Sequence, residues 1–508
     1  MINRIINKTI NILFCICFIW IAVVVFFFNT LPIPDWVRKE FLLPNFVLLT
    51  LGVIFACVII ALANKIRFSV PIVTLIICLI LCVGTYFCYF KTGWDAGQVT
   101  DKAWNAALNG IIDVPEWYYS FYTNNILIHC YEYGIFKLCI SFGITELEHA
   151  MYVLVLINCL VSAVSALLVY DAIHMLYPAG RRAAILGYVF YLGLIMLSPW
   201  VLIAYTDSLA LVLPILIVWM YLKLKKDVKN PVFAVLFGGL ICFVGFVAYK
   251  LKATAGIVLI AVVITEIISA LRSFRDEKVR TSLRVVISLA ILVVMYYLSN
   301  MLYTSTYTAC GVVLDKELAC PVTHYLKMGF NDSEAGTFNY PDSDETAYIS
   351  LYKDRYENDL SKAKSRIKAM LPFGIIRFEA RKALVNYHDG TFANGVEGGF
   401  YSTVYPDRDK ILSPFLKSIF WIDGALYPYL ECILQGLWLT VLVLCIVFGG
   451  SNDKDGELLI KMVLIGVFVF LSLFESRARY LYIFSPIFIV AFAGGSERIL
   501  GKWRKHFG

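Results

Sequence analysis

Asp95 lies in Lys91-Thr92-Gly93-Trp94-Asp95-Ala96-Gly97-Gln98, directly after the apolar run 70–90. A carboxylate in that place, beside a tryptophan and two glycines, does not build a core. It suits a general base for a hydroxyl, the more so if partial burial raises its pKa. The structural alternative is a helix-end or loop carboxylate that anchors the chain at a membrane edge. Arg477 and Arg479 alternate in Glu475-Ser476-Arg477-Ala478-Arg479-Tyr480. Paired guanidiniums bind phosphate through parallel hydrogen bonds, although arginines at span ends also anchor in headgroups. Lys250 and Lys252 interrupt an apolar stretch in Tyr249-Lys250-Leu251-Lys252 and could contact phosphate or snorkel. Asp207, in Ala204-Tyr205-Thr206-Asp207-Ser208, reads as a helix N-cap. Glu475 reads as a partner of either arginine. A base facing cations suits a reaction in which a hydroxyl attacks and a phosphate leaves.

The elements that must position these groups are membrane spans. The 508 residues are 60% hydrophobic and 16% charged, with mean hydropathy +0.75, where soluble domains carry about 25% charge. Apolar runs reach the roughly 20 residues that cross a bilayer at 10–28, 43–64, 69–90, 148–176, 183–200, 205–224, 231–249, 253–272, 283–302, 421–449, 458–474 and 479–495. The expected fold is an all-α polytopic membrane protein with these twelve helices. The run 10–28 reads as a retained span, since it lacks a small-residue cleavage site. The segment 125–143 is apolar but carries His129, Glu132 and Lys137, and charge inside a span is expensive. If it does not cross, the basic stretches at Arg4/Lys8, Lys65/Arg67, Arg181/Arg182, 223–229, 272–284 and 498–505 share one side. The positive-inside rule then makes both termini cytoplasmic, in a plasma membrane. Residues 101–143 become interfacial helices, and Asp95, Asp207, Lys250, Lys252, Glu475, Arg477 and Arg479 collect outside. A four-part organisation follows: a hairpin 1–68, a core 69–302 with the external loop 91–147, a mixed external subdomain 303–413, and a C-terminal part 414–508 ending in a basic tail.

The external loop 303–413 has a helical period over Tyr352–Met370 with Tyr356, Leu360, Ala363, Ile367 and Met370 on one side, and turn signals at Asp389-Gly390 and Gly398-Gly399. Asp342, Asp344, His388, Asp389 and Glu397 line either an acceptor groove or ordinary solvated surface. Cys310 and Cys320 could pair there or remain free thiols. His129 and Glu132, three residues apart, make two ligands rather than a metal site. With no Cys-x-x-Cys pair, no His cluster and no Gly-rich phosphate cradle, no metal or other cofactor is expected. The basic residues flank apolar runs, so nucleic acid is not an expected partner.

These residues resemble the GT-C fold glycosyltransferases, closest to the family 39-like group of protein O-mannosyltransferases and aminoarabinose transferases. The resemblance rests on Asp95 in the first long loop, and on Tyr122-Thr123-Asn124-Asn125, which is similar to a Tyr-Pro-Asn-Asn stretch opening an interfacial helix. It also rests on Leu318–Met328 with Gly329-Phe330-Asn331, on Asp389-Gly390-Thr391-Phe392 and Glu397-Gly398-Gly399-Phe400, which look like the loop of a Gram-positive subset, and on Glu475–Tyr480, similar to a Glu-x-Arg-x-Arg-Tyr motif. It covers most of 69–495; the hairpin 10–64 lies outside it. The Asp-Glu pair of the protein-directed members is absent.

The resemblance implies a polyprenyl-phosphate-linked sugar as donor and inverting transfer to an external glycan or polymer acceptor, such as a cell-wall polymer, teichoic acid or surface polysaccharide. Asp95 would be the base, with Lys250, Lys252, Arg477 and Arg479 on the donor phosphate. Trp94, Asn124, Asn125, Asp207, Glu475, Tyr480, Asp389 and Glu397 would support substrate, with Trp94, Tyr205 and Tyr480 able to stack on sugar. Two other readings stand beside it. One is a polysaccharide polymerase or ligase using arginines of the large loop (Arg355, Arg366, Arg377, Arg381). The other is a flippase or transporter of lipid-linked oligosaccharide, which would need polar residues at mid-membrane.

Overall fold

A backbone in lipid must satisfy its own polar groups, so the apolar runs become helices. The computed structural model describes residues 2–65, 68–110, 116–273, 278–397, 401–450 and 455–507. Arg67, Arg275 and the Gly398–Phe400 stretch, each used above, lie outside them. The first helices are α1 (Ile2–Phe27), α2 (Asn45–Leu62) and α3 (Val70–Tyr86). Proline opens two of them, preceding α2 and occupying the first turn of α3, where its missing N–H costs nothing. Three shorter helices follow in the first loop: α4 (Trp94–Asn109), α5 (Glu116–Phe121) and α6 (Ile126–Ser141). The central part comprises α7 (Leu147–Leu176), α8 (Arg181–Tyr191), α9 (Thr206–Ala210), α10 (Val212–Lys226), α11 (Pro231–Leu251), α12 (Gly256–Ser273) and α13 (Lys278–Ala309). The polar segment folds as α14 (Val322–Gly329), α15 (Tyr340–Tyr348), α16 (Tyr352–Met370) and α17 (Gly374–Tyr387). The chain closes with α18 (Leu412–Phe420), α19 (Tyr427–Phe448), α20 (Asp455–Leu473) and α21 (Ser485–Phe507).

Ten helical segments among the described residues are long and apolar enough to span a bilayer, and α3 is a shorter apolar eleventh. The expected run 183–200 is not one straight helix. α8 passes into a π turn at Leu192–Met196, and a 3-10 turn follows at Pro199–Leu202. Pro199 cannot donate into the ladder, and Ser198 Oγ instead accepts the Trp200 N–H at 3.4 Å. The molecule is an all-α polytopic membrane protein.

The core runs through α19, which packs on α1, α2 and α21, and through α7, which packs on α3, α8 and α10. The α2–α19 crossing is close because a Cβ on Gly52 would collide with Gly436 O and Thr440 Oγ1. α13 lies apart, packed on α11 and α12, with only 6% of its spanning window buried.

The helices of the first loop begin earlier than expected, at Trp94 and not near residue 101. α4 and α6 pack together, and this explains the charges on α6, since His129 and Glu132 face protein rather than lipid. The Tyr119 hydroxyl lies 2.7 Å from His129 Nδ1.

The 303–413 segment is helical apart from β2 (Tyr401–Val404), which pairs antiparallel with β1 (Phe90–Thr92). Phe90 faces Val404, Lys91 faces Thr403 and Thr92 faces Tyr401, with an irregularity between Lys91 and Thr92. α16 has the expected bounds, but its buried stripe is Arg355, Asp359 and Ala363 rather than the face carrying Tyr356 and Leu360. Paired charge overrides the apolar period: Lys327 meets Asp359 at 2.6 Å, and Arg355 donates to Ala319 O at 3.1 Å.

Candidate functional site

β1 delivers the chain to Gly93, after which Trp94 takes φ +54° and α4 begins. A positive φ at a bulky residue is strained and persists where surrounding structure enforces it. Here Gly97 permits the tight turn, since a Cβ there would strike Thr92 O. Asp95 therefore sits in the first turn of a helix, where the dipole favours its anion. The structural alternative, a helix C-terminal or loop carboxylate, does not describe this position.

Asp95 is half-buried. The Tyr118 hydroxyl donates to Asp95 Oδ1 at 3.5 Å and accepts from Asn125 Nδ2 at 3.1 Å. Asn125 Oδ1 in turn accepts from the Tyr205 hydroxyl at 2.8 Å and from Asn124 Nδ2 at 3.0 Å. Burial raises the Asp95 pKa, while Arg479, Arg477 and the Tyr118 bond pull it down; burial prevails.

The cations come from two other junctions. α20 ends at Leu473, the chain runs extended through Arg477, and a 3-10 turn covers Ala478–Phe484. Arg477 meets Glu475 at 3.1 Å and Glu397 at 3.1 Å, and Arg479 reaches the same Glu397 oxygen at 3.6 Å. The Tyr480 hydroxyl donates to Glu475 Oε2 at 3.2 Å. Lys252, between α11 and α12, is ion-paired with the fully buried Asp207 of α9, and its ammonium lies 5.1 Å from the Tyr480 ring centre. Burial lowers the Lys252 pKa, and Asp207 opposes the shift. Trp36 and Phe338 lie over the Arg477 guanidinium at 5.5 and 5.7 Å.

Three cations thus face Glu397, Glu475 and Asp207, with Asp95 close enough to feel both arginines. Three polar atoms in the cluster, Arg477 Nε, Arg479 Nε and Asp207 Oδ2, are buried without a hydrogen-bond partner among the described residues, although Arg477 Nε has its ion pair with Glu475. Such atoms are expensive to leave unmet and mark where a ligand atom can bind.

Most of the expected residues fall in two neighbouring groups: Asp95, Asn124 and Asn125 share one hydrogen-bonded chain, and Asp207, Lys252, Glu397, Glu475, Arg477, Arg479 and Tyr480 share a second, whose arginines act electrostatically on Asp95. Lys250 joins neither; its ammonium lies over the rings of Tyr303, Phe246 and Tyr249, because one residue of helix turns it away from Lys252. Asp389 is also elsewhere. Its carboxylate caps a turn, accepting from Thr391 N, Thr391 Oγ1 and Ala393 N at 2.7–2.9 Å. Asp207 is not an N-cap: Tyr205 holds that position, and the Asp207 side chain turns to Lys252. Trp94 stands at the site's edge, 40% exposed.

Of the four loop arginines, three are occupied elsewhere: Arg355 by carbonyls, Arg366 by Asp342 at 2.8 Å, and Arg381 by Asp332 at 2.7 Å. Cys310 and Cys320 are both unbridged, and the Cys320 thiol faces Pro321 O at 3.9 Å. Among the described residues no group of three His, Cys, Asp or Glu could hold a metal. Sequence reasoning missed the roles of Tyr118, Trp36 and Phe338. Tyr118 was indistinguishable from the interfacial aromatics around it, and Trp36 comes from a hairpin with no motif of its own.

A family model described as "conserved hypothetical integral membrane protein" matches residues 2–496, and the chain belongs to that family. No curated protein matches. Among solved structures, the archaeal oligosaccharyltransferase AglB from Archaeoglobus fulgidus, in complex with an inhibitory peptide and a dolichol-phosphate, is similar at TM-score 0.39 and 12% identity. The match covers 84% of this chain and 50% of that one, so the chain spans about half its length. At that level the likeness fixes neither fold nor reaction.

Proposed function

We propose that this membrane protein is an inverting glycosyltransferase that uses a polyprenyl-phosphate-linked sugar on the external face of the bilayer. The observation that carries the reading is that Asp95, at the start of α4, lies within electrostatic reach of Arg477 and Arg479, whose partner cluster also holds Lys252 against Asp207 and the Tyr480 ring. A half-buried carboxylate with a raised pKa suits a general base, and buried cations suit an anionic leaving group. Their position at helix ends, not mid-span, suits a donor whose head lies in the headgroup layer and whose tail lies in lipid.

In the proposed step Asp95 takes the proton of an acceptor hydroxyl. The hydroxyl oxygen attacks the anomeric carbon from the face opposite the phosphate, and the bond from that carbon to the phosphate oxygen breaks with inversion. Both electrons leave with the polyprenyl phosphate, whose charge falls to Arg477, Arg479 and Lys252. Tyr118 and Asn125 hold the carboxylate in place. Trp94 and Tyr480 offer faces for the sugar. The acceptor is an external glycan or polymer. Lys250 and Asp389 have no part in this step.

The test supplies a polyprenyl-phosphate sugar to purified wild type and Asp95→Asn and measures the polyprenyl phosphate released. The expected result is turnover by the wild type and its loss, by about 10²- to 10⁴-fold, in the variant. Equal turnover by both would remove Asp95 as the base. No turnover with any such donor would favour a transporter.

A further inference from the structure

A small cavity lies behind the arginine turn, where α17 packs against α1 and α20. Trp20 of α1 and Phe468 and Ser472 of α20 line the side of the spans. Glu379, Lys382 and Asn386 of α17 line the other, and their i, i+3, i+7 spacing puts them on one face of that helix. Trp20 and Phe468 are half-buried members of membrane spans. Ser472 is one residue from the end of α20, so the cavity lies near headgroup depth, where a tryptophan is at home.

The polar groups of this cavity are unevenly spent. Lys382 gives its three N–H groups to three backbone carbonyls. Asn386 is 2% exposed; its Nδ2 donates to Ser476 Oγ at 3.4 Å, but its Oδ1 is buried with no hydrogen-bond partner among the described residues. Glu379 adds a carboxylate. Acceptors are therefore in surplus, and a ligand that fits must bring donors. A positively charged donor suits a carboxylate best. Burial raises the Glu379 pKa against the pull of Lys382, and a second cation would favour the charged carboxylate again. The small size of the cavity suits the tip of a headgroup rather than a sugar ring.

We propose that this cavity binds the primary ammonium of an aminophospholipid from the adjoining leaflet. The Glu379 carboxylate and Asn386 Oδ1 accept its N–H groups, and the lipid chains lie along Trp20 and Phe468. The consequence falls on the arginine turn. Asn386 holds Ser476, whose N–H donates to Gly336 O at 2.8 Å directly before Arg477. A headgroup seated on Asn386 steadies that turn. The inference stands apart from sugar transfer, since it concerns a lipid that is bound and not consumed.

The experiment adds ethanolamine, choline or glycerol phospholipids with the same acyl chains to the purified, delipidated full-length protein in detergent. Native mass spectrometry counts the bound lipid, and the melting temperature is read alongside. The ethanolamine lipid is expected to be retained about tenfold more than the other two, because choline has no N–H donor and glycerol has no positive charge. It should also raise the melting temperature, as any ligand of the folded state does. Glu379→Gln keeps the shape, removes the charge and should erase the preference. In the wild type, an ethanolamine lipid with a photoreactive group at the head of its acyl chain is expected to cross-link to peptides of α1, α17 or α20. Equal retention of the three lipids, a preference that survives Glu379→Gln, or cross-links confined to other helices would overturn the inference. Wild type alone supplies the retention and cross-linking results, so a misfolded variant does not blunt the test. No sugar donor is present, so the outcome is separate from that of the proposed reaction.

Discussion

At the scale of the residue, Asp95 is set by opposed effects, of which burial is the largest. Burial favours its neutral form, whereas two arginines, a tyrosine hydroxyl and a helix N-terminus favour the anion. The balance leaves the pKa raised, and a base works only when ionised, so turnover is expected to fall as pH drops through that raised value. Tyr118→Phe removes a donor that stabilises the anion. The pKa then rises further, and the acid limb of the pH–rate profile moves to higher pH. An unmoved limb would show that Tyr118 does not touch the working carboxylate. Glu397 gives a prediction of opposite sense. Its carboxylate occupies both arginines, the place the proposed phosphate needs. Glu397→Gln keeps the shape and removes the competing charge, so inhibition by free polyprenyl phosphate should tighten, by about tenfold for a change near 1.4 kcal/mol. Weaker inhibition would instead make Glu397 a support that the arginines require.

At the scale of the element, the arginine motif is held by a lysine that no motif announced. Lys382 of α17 donates to Gly329 O at 2.6 Å and to Ser472 O and Phe474 O at 2.9 Å. One ammonium thus closes the ends of α14 and α20, immediately before Glu475. Its burial lowers the pKa from 10.5 to about 7. Between those values the unfolded chain binds more protons than the folded one, so this group makes stability rise with pH across the window. Thermal stability is expected to climb from pH 7 toward pH 10, and Lys382→Met should flatten that climb and lower the melting temperature by leaving three carbonyls unmet. An unchanged slope would remove Lys382 as its source. The sequence shows why such a residue is hard to find. The 3.6-residue period located α16 to its ends, yet its buried stripe carries Arg355 and Asp359, because charges paired across α14 and α16 look like solvent-facing polar residues until the partner is known. Lys250 and Lys252 differ in the same way. Both break an apolar run, and only the helix ending between them decides which one meets Asp207.

At the scale of the whole molecule, charge legible in the sequence and contact visible only in three dimensions agree on two unlike ends. One end gathers Asp95, Lys252 and the Glu475–Tyr480 turn. The other is tied by Arg272–Asp455 at 2.9 Å, Lys225–Glu266 at 2.5 Å, Arg498–Glu457 at 2.5 Å and Lys461 to Asn11 at 2.6 Å, joining α1, α10, α12, α20 and α21. Most of the spans were readable because a bilayer demands length and apolarity. Charge placement also read Asp95, Asp207, Lys252, Glu475, Arg477 and Arg479 onto one face, but not which of them touch, because no local pattern encodes loop contacts. Orientation rests on the excess of lysine and arginine at the second end, which the positive-inside rule assigns to the cytoplasm. The exposed Ser333, beside Asn331 on the polar segment, and the exposed Lys229, after α10, lie at opposite ends and report on that assignment. In intact cells, S333C is expected to react with a membrane-impermeant maleimide above the wild-type background of native cysteines. K229C should react only after permeabilisation. The reverse pattern would place Asp95 and the arginines in the cytoplasm, where a nucleotide-linked sugar rather than an external lipid-linked donor would be the natural substrate, and the proposed reaction would fall with it.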